Sequence, residues 1–158
     1  MVKDIGAMTA FQICVPAKNK PGMLASITAT FARAKINLRA ITITSFGDSG
    51  FFHMVVDDPQ EAHAALKNAG IENQLKEVVA VLIEDKPGSL NRLVQLLLSS
   101  GINVENAYGF VLESHKNAVF VVDVDKLEET LVLLEKEEFK TLDAEALNAI
   151  EPFHYMQY

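Results

Sequence analysis

A single cysteine, Cys14, stands in the whole chain, so no disulfide framework can hold it together. It lies in an apolar run with no second thiol to pair with and reads as a small strand hydrophobe. No stretch approaches the roughly 20 consecutive apolar residues of a membrane span, and the first residues lack the basic-then-apolar build of a signal peptide. A soluble, cytoplasmic protein without membrane contact is expected. Basic residues are also few: 14 Lys and Arg against 21 Asp and Glu give a formal charge of −7. Nucleic acid held by its phosphates needs clustered cations, and here they are scattered. His53, His63, His115 and His154 are dispersed without metal-ligand spacing, and no Ser or Cys sits in a nucleophile signature. The run Glu135-Lys136-Glu137-Glu138 reads as a solvated helix end rather than a pair of working carboxylates. Neither enzymatic activity nor a metal or other cofactor is expected.

What the chain does have is one passage written twice. Asn19-Lys20-Pro21-Gly22-Met23-Leu24 returns as Asp85-Lys86-Pro87-Gly88-Ser89-Leu90, each time after an apolar run and before a periodic apolar pattern. The shift of 66 positions from Pro21 to Pro87 also overlays Ile36-Asn37 on Ile102-Asn103, and Val55-Val56-Asp57 on Val121-Val122-Asp123. Three blocks at one offset mark two copies of one unit, each of roughly 65–70 residues. Units that small are marginal alone and should bury surface against each other or a partner chain. The expected boundaries are 9–76, 77–142, and 143–158 for a C-terminal helix and aromatic tail.

In the first copy, residues 1–8 read as a frayed lead-in. From Thr9 to Val15, Phe11, Ile13 and Val15 alternate with Ala10, Gln12 and Cys14, the period-two pattern of a strand, and a loop from Pro16 to Lys20 follows. Pro21 and Gly22 open a helix with Leu24, Ile27, Phe31 and Ala34 on one face. Ile36 to Phe46 reads as a strand, Gly47-Asp48-Ser49-Gly50 as a turn and Phe51 to Val56 as the hairpin partner. Asp57-Asp58-Pro59 starts a second helix, with Ala62, Ala65, Leu66 and Ala69 facing inward up to Gly70, and Glu72 to Glu77 is the fourth strand.

The second copy follows without a linker. Val78 to Ile83 is its first strand, and its helix carries Leu90, Leu93, Val94, Leu97 and Leu98 on one broad stripe with Leu96 outside. Asn103 to Leu112 and Ala118 to Val124 form a hairpin through the turn Glu113 to Asn117. Asp125 caps a helix through Leu127, Leu131 and Leu134, and Phe139 to Leu142 closes the sheet. Asp143 to Glu151 reads as a short helix before Phe153, His154, Tyr155 and Tyr158.

The fold class is therefore α+β: two ferredoxin-like βαββαβ units, each an antiparallel sheet with both helices on one face. The other face should then be polar, yet Leu82 stands beside Val81 and Ile83, and Tyr108, Phe110 and Leu112 alternate with Ala107 and Val111. That face is expected to be covered by a second chain or by the tail.

A helix N-terminus offers unpaired N–H groups and a partial positive charge, and a glycine there admits a ligand close to the backbone. Asn19 or Asp85 could take an amino group, so the repeated loop suits an α-amino acid. Alternatively, Asn19 and Asp85 only cap the helix and Pro-Gly only makes the turn. Asn37 and Asn103 follow the helix, where asparagine also serves as a left-handed turn residue.

The loop followed by Lys35-Ile36-Asn37-Leu38, and its copy followed by Gly101-Ile102-Asn103-Val104, resemble the ACT domain, a small regulatory module of βαββαβ order, over about residues 9–142. The stretch Asn106-Ala107-Tyr108-Gly109-Phe110-Val111 and the size are similar to stand-alone tandem ACT proteins. The resemblance implies a regulatory sensor that binds a small amino acid or related carboxylate at ACT–ACT interfaces. It further implies a homodimer or higher oligomer that acts on an enzyme partner or on its own assembly. One site would combine Asn19, Gly22, Met23 and Leu24 with Asn103, the other Asp85, Gly88, Ser89 and Leu90 with Asn37. Asn106 and Tyr108 could line a site, or be an edge amide and a packed aromatic. Ala17 and Ile83 stand where some amino-acid binders of the family are polar. The rival readings are a ligand-free assembly module and the regulatory subunit of an amino-acid biosynthetic enzyme such as acetohydroxyacid synthase. The latter resembles one ACT domain with a different second half, whereas here the second half repeats the loop.

Overall fold

The computed structural model of the protein describes residues 9–18 and 21–149. The first six elements are β1 (Ala10–Lys18), α1 (Met23–Arg33), β2 (Leu38–Phe46), β3 (Ser49–Val56), α2 (Pro59–Asn68) and β4 (Gln74–Glu84). They are followed by α3 (Ser89–Ser99), β5 (Val104–Glu113), β6 (Asn117–Val124), α4 (Leu127–Lys136), β7 (Lys140–Leu142) and α5 (Ala144–Asn148). The chain divides into two compact units, Phe11–Lys76 and one that takes in Glu77 onward. Both have the ferredoxin-like βαββαβ order with antiparallel pairing. In the first unit β3 lies between β2 and β1; in the second the order is β5-β6-β4-β7.

The strands at Glu72–Glu77 and Val78–Ile83 are in fact one strand, β4, because no Gly, Pro, Asn or Asp interrupts Gln74–Glu84. β1 likewise runs on through the expected loop to Lys18, with Pro16 opposite Phe51, since the fixed φ of proline is compatible with extended chain. The residues 1–8 and the aromatic tail lie outside the described residues.

Each unit packs two helices on one face of its sheet. Ile27 and Phe31 of α1 and Ala62 and Leu66 of α2 meet Ile13, Val15, Phe52 and Met54. Leu93 and Leu97 of α3 and Leu131 and Leu134 of α4 meet Val79, Val81, Val122 and Val124. The inward stripe of α3 is narrower than its leucine content suggests. Leu96 packs against the core, while Leu90, Val94 and Leu98 are 41%, 42% and 68% exposed. In α1, Met23 packs inward and Leu24 points out.

On the second unit's other face, Ala80 stands in one row with Val121 and Leu142, and all three are buried without a second chain. The short helix α5 follows β7 directly, packs against it and buries Leu147. Its start is capped by Asp143, whose carboxylate accepts from the Ala146 N–H at 2.7 Å.

The two copies are in register up to the asparagines and then part by two residues. Val56 pairs with Leu38 and Val124 with Val104, so the counterpart of Asp57 is Asp125 and not Asp123. The β5–β6 hairpin is two residues longer than β2–β3, and the matched Val-Val-Asp blocks do not occupy equivalent places. Asp125 also does not cap α4: the N-cap is Lys126, without a side-chain bond.

Candidate functional site

At both copies of the repeated loop the chain enters a helix through a glycine in the left-handed region, Gly22 at φ 94° and Gly88 at φ 92°. The prolines stand just outside the helix rather than in its first turn, and Gly is the N-cap. Neither entrance has a side-chain cap or an acid in the first turn. Elsewhere the helix starts are served: Asp58 accepts from the Glu61 N–H at 3.1 Å, and α4 carries Glu128 and Glu129 in its first turn. Among the described residues, the first-turn N–H groups and positive pole of α1 and α3 are thus left without a compensating side chain. A Cβ at either glycine would meet nothing within 4 Å, so backbone conformation, not crowding, requires glycine there.

In the first unit the entrance borders a cavity of about 150 Å³ lined by Gly22, Met23 and Leu24 with Ala17, Ile43, Phe51 and Phe52. Its walls are largely apolar. Gly50 also lines it, and a Cβ there would collide with the Thr44 carbonyl across the hairpin. Asn19 lies outside the described residues.

In the second unit the larger opening, about 340 Å³, is on the other flank of the helix, between the end of β4 and the start of β7. Gly88 and Ser89 line it with Glu84, Lys86, Arg92, Glu138, Phe139 and Lys140, and Leu90 is not among its walls. The Arg92 guanidinium lies 4.5 Å from the centre of the Phe139 ring and donates to the Glu137 carbonyl at 3.4 Å. Lys86 forms an ion pair with Glu84, and its hydrogen bond and charge hold the Glu84 carboxyl below the usual glutamate range.

Asp85 neither caps α3 nor points a free carboxylate into this cleft. Its Oδ2 accepts from the His115 N–H at 2.7 Å and its N–H donates to the Lys116 carbonyl at 3.0 Å, fastening the β5–β6 turn to the loop. Asn37 and Asn103 are also not the left-handed residues of their turns. Lys35 and Gly101 are, at φ 57° and 69°, closing Schellman motifs in which the Ile36 and Ile102 N–H groups donate to Phe31 and Leu97.

Each asparagine is instead clasped by its backbone. Asn37 N–H donates to Asp57 Oδ1 at 3.0 Å, and Asn103 N–H to Asp125 Oδ1 at 2.9 Å. The aspartate N–H groups donate back to the asparagine carbonyls, both at 3.2 Å. The exposed amides are left facing solvent. In each unit the asparagine precedes the edge strand while the loop lies near that strand's far end in the first unit, so neither unit alone brings its own loop and asparagine together. Asn106 and Tyr108 pair with Asp123 and Val121 on the face opposite α3, away from the helix entrance of their unit. The Asn106 Nδ2 is buried there without a hydrogen-bond partner among the described residues. Among the described residues no group of three or more His, Cys, Asp and Glu could hold a metal, and no helix is long and apolar enough to cross a membrane.

The sequence model of the ACT domain pair matches residues 8–149. The chain belongs to this family. A crystal structure of a protein from Bacteroides thetaiotaomicron superposes on this ACT pair with a TM-score of 0.84 at 28% identity, covering 91% of this chain and 99% of its own. The regulatory subunit of aspartate kinase from Thermus thermophilus, in a ligand-free form, gives 0.58 at 19% identity, covering 84% and 94%. Its counterpart from Thermus flavus gives 0.57 at 21%, covering 82% and 92%. These two show likeness of fold. Comparison with curated protein sequences finds no match.

The loop pattern shared by the two ACT units does not reveal Arg92, Phe139 or the aspartate clasps. Arg92 is open to recognition, since it lies three residues after Ser89 and so on the same side of the helix. Phe139 cannot be placed by spacing, because it comes from 50 residues further along the chain.

Proposed function

We propose that the ACT pair is a regulatory sensor of a small amino acid or related carboxylate, which bridges ACT units and modulates an enzyme partner or the protein's own assembly. The observation that carries this reading is the pair of helix entrances, at Gly22 and Gly88, each without cap or acid and each beside an opening. A carboxylate supplied from outside would satisfy those N–H groups and the positive pole. Gly22, Met23 and Leu24 with Asn19, and Gly88, Ser89 and Leu90 with Asp85, would receive the ligand's backbone. Asn103 and Asn37, whose amides face solvent at clasped positions, would close the sites from neighbouring copies.

The regulatory subunits among the structural neighbours support a controlling role without naming what is controlled here. The domains would run 9–76 and 77–142 with residues 143–158 appended, in a cytoplasmic homodimer or higher oligomer. Binding that favours one packing of the units would couple to the partner on the usual scale of about 1–3 kcal/mol. Calorimetry against the twenty amino acids tests the reading. At least one should give saturable heat, lost in Gly22→Val with Gly88→Val while the oligomer persists, and silence from all twenty refutes it.

A second reading, an assembly module that binds nothing small, is favoured by one feature: the exposed row Leu90, Val94 and Leu98 on α3. Under it, Leu98→Asp would disperse the oligomer and no amino acid would alter its size in light scattering.

A further inference from the structure

The two helix entrances differ in charge. By the 66-residue shift, Arg92 stands where the first copy has Ser26, and the first unit's cavity is walled largely by apolar groups. In the second unit's cleft the Lys86 charge is taken up by Glu84. Arg92, Lys140 and Glu138 are without ion pairs among the described residues. Arg92 spends only one donor, at 3.4 Å, and is held flat by Phe139, so its remaining N–H groups stay available in a fixed plane.

We propose that the cleft beside α3 binds an acidic amino acid, with Arg92 and Lys140 taking its two carboxylates and Glu138 its ammonium. This rests on the reading above that the repeated loop admits a carboxylate, and it names a ligand class for the cleft at the second unit's helix entrance, whose walls leave out Asp85 and Leu90. With Lys86 and Glu84 set aside as a pair, the remaining charges match: Arg92, Lys140 and Glu138 against two carboxylates and one ammonium. Ser89 and Arg92, three apart on the helix, stand about 5–6 Å from each other. That spacing lets one carboxylate lie at the helix entrance, within reach of Lys140, while the other meets the guanidinium. Among the described residues the first unit's cavity has no cation in its walls, so the acidic ligand is assigned to the second unit.

The test is titration calorimetry of the full chain with L-glutamate, L-aspartate, succinate and L-leucine. An acidic amino acid should bind more tightly than L-leucine, and more tightly than succinate, which lacks the ammonium. Arg92→Gln should weaken the acidic ligand about ten- to hundredfold, and Arg92→Lys should recover part of that. Both variants should stay folded with a cooperative unfolding transition, because Arg92 is exposed and gives up only its ring contact and one long hydrogen bond. If L-leucine binds as tightly as the acidic amino acids, or if Arg92→Gln leaves them unchanged, this assignment is overturned and the broader one stands. If none of the twenty amino acids binds, both fall.

Discussion

Replacing Gly22 or Gly88 by alanine isolates the cost of a left-handed backbone, because the new Cβ would meet nothing within 4 Å at either position. An L-residue in that region costs about 1–2 kcal/mol. Against this, alanine restricts the unfolded chain and returns about 0.4–1 kcal/mol. Packing around the open position is untouched, so the net destabilisation is the difference of the two midpoints, about 0.8 kcal/mol per site. For a cooperative unit of this size that corresponds to about 3–6 °C in melting temperature. Asparagine tolerates the left-handed region better than alanine, so the order of stability should be Gly, then Asn, then Ala. Thermal and urea unfolding of the three proteins measure it. If crowding governed the position, the larger asparagine would be worse than alanine; that order, or an alanine variant as stable as the parent, refutes the argument from φ.

Removing the Asp125 carboxylate by Asp125→Ala should cost about 0.5–1 kcal/mol, the lower part of the range for one hydrogen bond since the residue is exposed, and should speed hydrogen exchange at the Asn103 amide. If Asp123→Ala frees that amide instead, the two-residue offset between the copies is wrong. The folded-state pKa of Glu84 is lowered chiefly by Lys86, so its contribution to stability is present above the ordinary glutamate pKa and fades as pH falls through the lowered value. Carboxyl NMR titration should show Glu84 moving up toward the usual range in Lys86→Gln; an unmoved titration removes Lys86 as the cause.

The order of elements is readable because each copy alternates apolar residues with period two in its strands and three to four in its helices, and the repeat makes each copy a check on the other. Where sequence and structure part, tertiary context overrides a local signal. The junction between the copies has no turn residue, so β4 has no visible seam. The α3 stripe is narrower than expected because Leu90, Val94 and Leu98 are apolar yet exposed, which composition does not distinguish from burial. Asp125 looks like a cap because an acid before a helix usually is one; its true partner, the Asn103 N–H, is 22 residues away in the chain. At the helix entrances the glycine requirement is legible from Pro-Gly, whereas the charge of the second cleft is not. That charge depends on Phe139 and Lys140 returning beside α3 at the start of a strand.

The longer hairpin of the second copy is where the two units differ most in length. The strand bases carry the same asparagine and aspartate clasp in both copies, and the extra length lies beyond them, partly in the irregularity between Val111 and Glu113. There the added length is not left idle: it forms an arm that Asp85 ties to the repeated loop. A repeated unit can in this way change the surroundings of one loop without altering its scaffold, by lengthening a single hairpin.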